Sequence, residues 1–343
     1  MRTKKQPSQI ISIRDVAQRA GVSISTVSRV INKSPYVKEK NRLRVQQVIK
    51  ELNFQPSVLA QRLATGKSNV VALVIPRYEG IFYSFYALEL IRGIGTLTEV
   101  LKLDLSLHLT DSRSELNLRG IGGVIFADII INRNQLEDAL ACGIPTVVIN
   151  NYVEDLEVNC IAIDNIKGAF EAVNYLIGLG HRKIAHIAGD LVTQAAAHRL
   201  DGYRRAMGKN KIAVKEEYII KTDYSRGQAR AAAEALFKIS NPPTAVFVAS
   251  DAMALEVITV AREHGIKIPA DLSVVGFDDN PSGLYGPVAL TTVRQPLVKM
   301  AQDSVKELNL LMNDNKKAKV KKIFLPTELV IRESCQHIQP AGD

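Results

Sequence analysis

The sequence has little of what secreted and membrane-bound proteins need. Its 343 residues include only three cysteines, Cys142, Cys160 and Cys335. They are too few and too scattered for a disulfide framework, which suits a reducing cytosol. No apolar segment follows the basic start, so we expect neither a signal peptide nor a transmembrane helix. These absences favour a cytoplasmic protein that makes no contact with a membrane.

Signatures of catalysis and of metal binding are also missing. The six histidines show no metal-ligand spacing, and we find no nucleophile elbow. The glycines at 93–95 and 120–123 lack the full spacing of a phosphate-binding loop and its Gly-Lys-Ser/Thr. A dinucleotide-dependent enzyme would need a fingerprint that is absent. We therefore expect no enzyme, no catalytic residue, no metal and no cofactor.

Acidic residues are scarce at one end of the chain. Residues 1–69 hold 14 Lys and Arg against 3 Asp and Glu, whereas residues 70–343 hold 30 against 32. The net charge of +9 therefore comes entirely from the first fifth of the protein. A basic head on a nearly neutral body is typical of a protein that binds nucleic acid through its head.

The pattern of residues 13–32 predicts two short helices joined by a tight turn. Val16, Ala17 and Ala20 form an apolar stripe, Gly21 can end the first helix, and Ser23 or Ser25 can cap the second. The second helix leaves polar and basic side chains outward, among them an arginine able to bind guanine. This outline is that of a helix-turn-helix, and the alternative is an ordinary helical hairpin. The outward residues are Ile24, Ser25, Ser28 and Arg29.

Two further helices are expected before the body of the protein. Residues 38–53 have the spacing of a third amphipathic helix. Pro56 and Gly66 then bracket a helix of about nine residues, too short to be stable alone in water. We interpret it as a hinge that folds only when it packs against a partner.

From residue 70 onward, short apolar runs alternate with helical segments, a pattern that predicts parallel sheets buried on both faces. About 270 residues is too long for one doubly wound sheet and suits two. The nine expected strands are Val70–Pro76, Leu103–Thr110, Gly123–Ala127, Pro145–Asn150, Cys160–Asp164, Lys183–Ala188, Glu217–Thr222, Thr244–Ala249 and Leu272–Phe277.

Ordered motifs along nearly the whole chain resemble the lac repressor (LacI/GalR) family of bacterial transcriptional regulators. The matching segments are Asp15-Val16-Ala17, Ala20–Ser23, Thr26–Asn32, Pro56-Ser57, Ala60–Leu63, Leu179–Ala185, Arg199–Tyr203, Val274–Asp279 and Leu290–Pro296. The resemblance implies a helix-turn-helix head with a hinge helix, followed by an α/β body like a periplasmic binding protein, with two doubly wound parallel-sheet subdomains around a ligand cleft.

The resemblance implies a division of the chain into segments. The expected segments are a flexible basic tail (1–12), a DNA-binding domain (13–55), a hinge helix and linker (56–69), an effector-binding and dimerisation domain (70–335) and a tail (336–343). Within the body, we expect an N-subdomain at about 70–164 and 294–322 and a C-subdomain at about 165–292 and 323–335. The chain is expected to cross between them near 163–166, 290–294 and 321–325.

The resemblance also implies roles for residues in the head. Ile24, Ser25 and Arg29 occupy the base-reading positions, and Tyr36 lies at another DNA-facing position. Thr26, Ser28 and Asn32 occupy positions that contact phosphates. In the hinge, Leu63 takes the place of a leucine that wedges into the minor groove, with Ala60 and Gln61 beside it; the alternative is a plain core leucine. Ile24 departs from the larger residues common at its site.

Candidate effector-binding residues lie at strand ends, where open parallel sheets bind their ligands. The resemblance implies that Arg199 holds the effector and that Asp278 is the sugar-binding aspartate. Ser250, Asp251 and Asn150 end other strands, although a charged residue at such a place often makes only a local ion pair. Most family members have Asn-Asp where this chain has Ser250-Asp251.

The N-subdomain departs more strongly from the family. Residues 77–83 replace the usual Asn-Pro-Phe-Phe element, and only about a dozen residues, 111–122, separate the second and third strands, near the minimum for a crossover. We expect one helix there to be shortened or lost. Tyr83, Phe85 and Tyr86 are expected to be core aromatics or, alternatively, to stack on a ligand.

Together these features predict a transcriptional regulator, a repressor, that binds a palindromic double-stranded operator as a homodimer. The family resemblance implies control by a small-molecule effector, a sugar or a sugar derivative. The C-terminus lacks the apolar heptads of a tetramer-forming coiled coil. One alternative is the same regulator controlled by a partner protein or by no effector. A more distant one is a solute-binding protein, which predicts a signal peptide and no basic head.

Overall fold

The computed structural model describes residues 11–31, 34–54, 68–77, 81–111, 113, 115–313 and 319–338. The chain divides into two compact units, Met1–Ser68 and Asn69–Asp343. The division separates the basic head from the body, as the charge distribution predicts.

The head contains three helices, α1 (Ile13–Ala20), α2 (Ile24–Ile31) and α3 (Glu39–Glu51). Ser12 and Asp15 form a capping box at the start of α1, and Gly21 ends it in the left-handed conformation with φ 63°. Ser23, rather than Ser25, caps α2 by accepting a hydrogen bond from the Thr26 N–H at 3.2 Å. The predicted helix-turn-helix is therefore present. The expected hinge helix lies outside the described residues.

Apolar side chains from all three helices form the core of the head. These residues are Val16, Ala17, Ala20, Val27, Val30, Val37, Val45, Val48 and Phe54. Small Ala17 and Ala20 lie in that core on α1 beside Val27 of α2. The same burial leaves the opposite face of α2 to solvent.

The first sheet of the body has six parallel strands in the order β11-β5-β4-β3-β1-β2. Two helices, α4 (Phe85–Leu101) and α10 (Leu297–Asn313), contribute to the core on one face, and α5 (Arg133–Ala141) covers the other. The strands are β1 (Val70–Pro76), β2 (Asp104–Thr110), β3 (Gly123–Ala127), β4 (Thr146–Ile149), β5 (Asn159–Ile163) and β11 (Lys322–Leu325).

The second sheet has the order β12-β10-β9-β8-β6-β7, and only β12 is antiparallel to its neighbour. Its strands are β6 (Ile184–Ala188), β7 (Ile219–Lys221), β8 (Ala245–Val248), β9 (Ser273–Asp278), β10 (Thr291–Arg294) and β12 (Glu328–Val330). Helices α6 (Asn165–Gly178) and α7 (Gln194–Lys209) pack on one face. Helices α8 (Arg226–Phe237) and α9 (Asp251–Glu263) pack on the other.

All nine expected strands are present, but the chain crosses between the subdomains later than expected at two of three places. The first crossover follows β5, as predicted. Residues 291–294 instead form β10 of the second sheet, and residues 322–325 form β11 of the first. Their pairing with β9 and β5 makes them strands, so the crossings fall at 295–296 and 326–327. The N-subdomain therefore extends to Leu325 rather than to 322.

The connection between β2 and β3 contains no helix in its described residues, 111, 113 and 115–122. Leu116, Leu118 and Ile121 pack instead against the core beneath α5. The shortened crossover predicted for this segment is therefore present, and the loop itself supplies the apolar cover of the sheet. Phe85 and Tyr86 pack against the other core cluster, while the Tyr83 side chain lies outside the described part.

Candidate functional sites

The outer face of α2 presents the residues that the sequence suggests for reading DNA. Ile24 is 45% exposed, and Ser25 and Arg29 are exposed beside it. Ser23 links this face to Thr26, with 2.9 Å between their hydroxyl oxygens. An exposed isoleucine between hydroxyl groups and a guanidinium suits a base edge, where apolar and hydrogen-bonding contacts alternate.

The remaining DNA candidates fall in three places. Thr26 and Ser28 are half-buried on α2, and Tyr36, in the loop before α3, is 90% exposed. Asn32, together with the hinge residues Ala60, Gln61 and Leu63, lies outside the described residues.

Arg199 lies on α7 and is buried, with 4% of its surface exposed. Its Nε donates to Asn165 Oδ1 at 2.9 Å, and its NH1 donates to the Ala249 carbonyl at 2.6 Å. The guanidinium also lies 3.8 Å from the centre of the Phe277 ring. These contacts hold the charge in one position and leave NH2 to act on other groups in the cleft.

Asp278 ends β9 with φ 128°, a backbone conformation that non-glycine residues rarely adopt. Gln295, in the second crossover, donates to its Oδ1 at 2.6 Å. Removal from water raises the pKa of Asp278 to about 6, and the charge of Arg199 opposes the rise. The structure thus brings the two residues that the resemblance singled out into one electrostatic environment.

The side-chain oxygens of Ser250 and Asp251 already accept hydrogen bonds from the protein. The Ser250 hydroxyl caps α9 by accepting from the Met253 N–H. Asp251 accepts from the Thr292 hydroxyl at 2.6 Å and from the Asn280 N–H at 2.7 Å. Desolvation and the nearby Asp278 raise the pKa of Asp251 to about 7. Its bond to Asn280 anchors the turn that carries Asp278.

Asn150 and Asp128 follow adjacent strands of the first sheet, β4 and β3, and both have a left-handed backbone, with φ 65° and 69°. Sequence reasoning selected Asn150 and missed Asp128, although Asp128 directly follows a buried strand in the same way. Desolvation raises the pKa of Asp128 to about 6, opposed by a hydrogen bond with Asn150 and by the charge of Arg199. The charge of Arg199, in the second subdomain, therefore acts on Asp128 in the first.

The Tyr224 side chain forms an aromatic wall of the cleft, beside Arg199, Asp278 and Asp128. Its ring lies directly over Gly189, where a Cβ would come within 2.0 Å of the ring. The charges of Arg199, Asp278 and Asp128 all act on its hydroxyl, whose pKa is raised mainly by burial. These groups, drawn from both subdomains, therefore face a common space.

A direct bridge joins the two subdomains beside this space. The Gln194 side chain, at the start of α7, accepts from the Tyr152 N–H at 2.7 Å and donates to the Tyr152 carbonyl at 3.0 Å. Two bonds from one side chain to the backbone of a single residue fix the local separation of the subdomains.

The two buried histidines have structural contacts. His181 bonds to Thr244 and Ser273, and His186 is stacked between the rings of Tyr203 and Phe247. Among the described residues, no group of three or more His, Cys, Asp or Glu side chains is arranged to hold a metal ion. A search of the same residues found no helix with the length and hydropathy of a membrane span.

Two family models match the chain. Residues 12–57 match the bacterial regulatory proteins of the lacI family, and residues 173–335 match a periplasmic binding protein-like domain. The chain is 35% identical over 334 residues to the HTH-type transcriptional regulator DegA of Bacillus subtilis (strain 168), covering 94% of this chain and 97% of that one. The chain belongs to the LacI family.

Other LacI-family proteins are similar over nearly their full length. Catabolite control protein A of Priestia megaterium is 32% identical, with 88% of this chain and 93% of that protein covered. A crystal structure of the lac repressor dimer bound to operator and the anti-inducer ONPF superposes with a TM-score of 0.83 and 26% identity, covering 96% and 100% of the two chains. The protein is thus a DNA-binding transcriptional regulator, and the relatives named here are regulators rather than enzymes.

Proposed function

We propose that this LacI-family regulator is a repressor that binds a palindromic operator as a homodimer in the cytoplasm. In each protomer, α2 enters the major groove, where Ile24, Ser25 and Arg29 contact bases. Thr26, Ser28, Asn32 and Tyr36 contact the backbone or lie close to it. The hinge inserts Leu63 into the minor groove, with Ala60 and Gln61 alongside. The solved lac repressor dimer bound to operator supports this arrangement.

The body binds a small polyhydroxylated effector, sugar-like in character, between its two subdomains. The observation that carries this proposal is that the Arg199 guanidinium, on α7, acts both on Asp128, which follows a strand of the first sheet beside Asn150, and on Asp278, which ends β9 of the second. Open parallel sheets bind their ligands at such ends. Ser250 and Asp251 support these residues through hydrogen bonds within the protein: Ser250 to the Met253 N–H and Asp251 to the Asn280 N–H. A solved structure that is 28% identical to this chain is that of a transcriptional regulator CelR–cellobiose complex.

The effector controls DNA binding by changing the angle between the subdomains. It contacts both sides of the cleft, and three crossovers link the two sides. A ligand shifts such an equilibrium only by its difference in affinity for the two states. The two Gln194–Tyr152 hydrogen bonds stabilise the angle present in this structure, so a change in that angle would strain or break them.

A mobility-shift titration tests the DNA-binding half of the proposal. Operators are first selected from a random DNA pool with the full-length protein. Binding should fall steeply with salt, because each neutralised phosphate releases counterions. Addition of the correct effector should then change operator affinity, and Arg199→Met should abolish this response while leaving affinity without effector within a few-fold. A flat salt dependence would refute the role assigned to the basic head.

Control by a partner protein is a second candidate, favoured by the connection between β2 and β3, whose described residues form no helix. This departure alters the first subdomain while leaving the groups around Arg199 in place. Calorimetry of the full chain with sugars and nucleosides separates the two candidates. Complete absence of heat across both panels would favour the partner protein.

A further inference from the structure

Three acceptor oxygens near the centre of the cleft are buried and have no hydrogen-bond partner. They are Asp128 Oδ1, Asn150 Oδ1 and Gln295 Oε1. Asn150 and Gln295 are only 6% and 7% exposed. Leaving a buried acceptor unpaired costs about 1–3 kcal/mol, so each of them favours a ligand that can donate to it. The three come from both subdomain edges and a crossover, which surround one space.

The charge in this space is unbalanced. Asp128 and Asp278 are two carboxyl groups, and the pKa of each is influenced by the same guanidinium, Arg199. That guanidinium already donates through Nε and NH1 to neutral acceptors of the protein. A third carboxyl group, Asp251, lies close enough for Asp278 to raise its pKa. Carboxyl groups therefore outnumber the guanidinium.

From this arrangement we propose that the cleft selects an uncharged polyhydroxylated ligand over its anionic counterparts, and that Asp128 is the residue that determines this specificity. The inference rests on the proposed effector site and adds the charge class of the effector. Hydroxyl groups supply the donors that Asp128, Asn150 and Gln295 lack. A phosphate or carboxylate would instead bring further acceptors and a like charge into a region that is poorly solvated.

Asp128 differs from Asp278 in a way that makes it the discriminating group. Asp278 has a protein donor, Gln295, on its Oδ1, whereas Asp128 Oδ1 has none. Asp128 and Asn150 both have a left-handed backbone, and they directly follow the adjacent strands β3 and β4. An Asp128→Asn substitution keeps the shape and one acceptor oxygen but removes the charge.

Calorimetry of the full-length protein with matched sugars tests the inference. The pairs are glucose with glucuronate, galactose with galacturonate, and ribose with ribose 5-phosphate. In the wild type, the neutral member of any pair that binds should bind at least about tenfold more tightly, because a like charge within about 12 Å has at least this effect at an effective dielectric constant near 20. In Asp128→Asn, neutral-sugar affinity should fall because a charge-assisted hydrogen bond becomes a neutral one. The anionic sugar loses the same hydrogen bond but also the repulsion, so the discrimination should fall about tenfold.

Asp138→Asn is the matched control, because it removes the same charge from an exposed position on α5. It should leave both affinities and their ratio unchanged. An anionic member that binds the wild type as tightly as its neutral partner would overturn the inference while supporting the proposed effector site. Discrimination that persists in Asp128→Asn would overturn the role of Asp128. If no sugar of either charge binds, the proposed function fails and the inference fails with it.

Discussion

Substitution of Gly189 by alanine tests the packing of the aromatic wall in the cleft. An alanine Cβ would lie 2.0 Å from Cζ of Tyr224 and 2.3 Å from Cε2. Ordinary carbon–carbon contacts are about 3.5–4.0 Å, so the ring must move by about 1.5 Å or more. Overpacking of this kind costs about 1–3 kcal/mol of unfolding free energy. The displaced ring would also leave the space shared by Arg199 and Asp278, so effector affinity should fall.

Gly189→Ala should have the opposite effect on the unfolding free energy when the Tyr224 ring is removed. Gly189 does not adopt a left-handed conformation, so alanine is compatible with its backbone. Without a clash, replacement of glycine stabilises a protein by about 0.4–1 kcal/mol because the unfolded chain loses freedom. Gly189→Ala should therefore destabilise the wild type but stabilise Tyr224→Ala. The coupling between the two sites should reach about 2 kcal/mol.

Urea unfolding of the full-length protein and the three variants measures this coupling. Gly208→Ala is the control, because a Cβ at that helical glycine meets nothing within 4 Å. It should raise stability in both backgrounds by about the difference in helix propensity, up to 1 kcal/mol. Additive effects of Gly189→Ala and Tyr224→Ala would refute the reasoning, since they would mean that the ring does not cover Gly189.

Three further predictions concern the DNA-binding head and the core. Arg29→Ala should weaken specific operator binding by about 1–3 kcal/mol, about five- to 150-fold, in a mobility-shift assay. An equal loss in Arg14→Ala, which removes an exposed arginine on α1, would mean that Arg29 contributes only charge. Leu63→Ala should leave the fold intact but sharply weaken operator binding, and unchanged affinity would contradict the wedge assigned to it. Burial lowers the pKa of His186 to about 4, below the 6.5 of an unperturbed histidine, so the unfolded state takes up the proton first. As pH falls from 6.5 to 4, the unfolding free energy of the wild type should therefore fall by about 3 kcal/mol more than that of His186→Phe. Parallel pH profiles for the two proteins would refute this.

The organisation of the chain was largely predictable, because it depends on local patterns. Apolar residues spaced for one helix face, together with Gly21 and a capping serine, predicted α1 and α2. Runs of Val and Ile predicted the buried strands, since a strand covered on both faces has no polar side to show. Exposed edge strands of the sheets, such as β11 and β12, lack this pattern, and the sequence interpretation treated residues 321–325 as a crossover.

The candidate site was predictable only in part. Arg199, Asp278 and Asn150 were selected by motif and by their place after strands, and the structure brings them close to Asp128, which was not selected. The motif also selected Ser250 and Asp251, whose oxygen atoms accept hydrogen bonds from the protein itself. A sequence motif identifies the residue type, but it does not reveal whether the hydrogen-bonding capacity of that residue is already used.

The sequence by itself determined the family, the order of helices and strands, and the concentration of positive charge in the head, because each of these depends on residues close together in the chain. Only the tertiary structure decided which strand ends meet. Asp128 and Arg199 influence each other because two sheets formed by distant segments face one another across the crossovers. Burial in that space, which no local pattern records, raises the pKa of the carboxyl groups of Asp128 and Asp278 and leaves acceptors unpaired for a ligand.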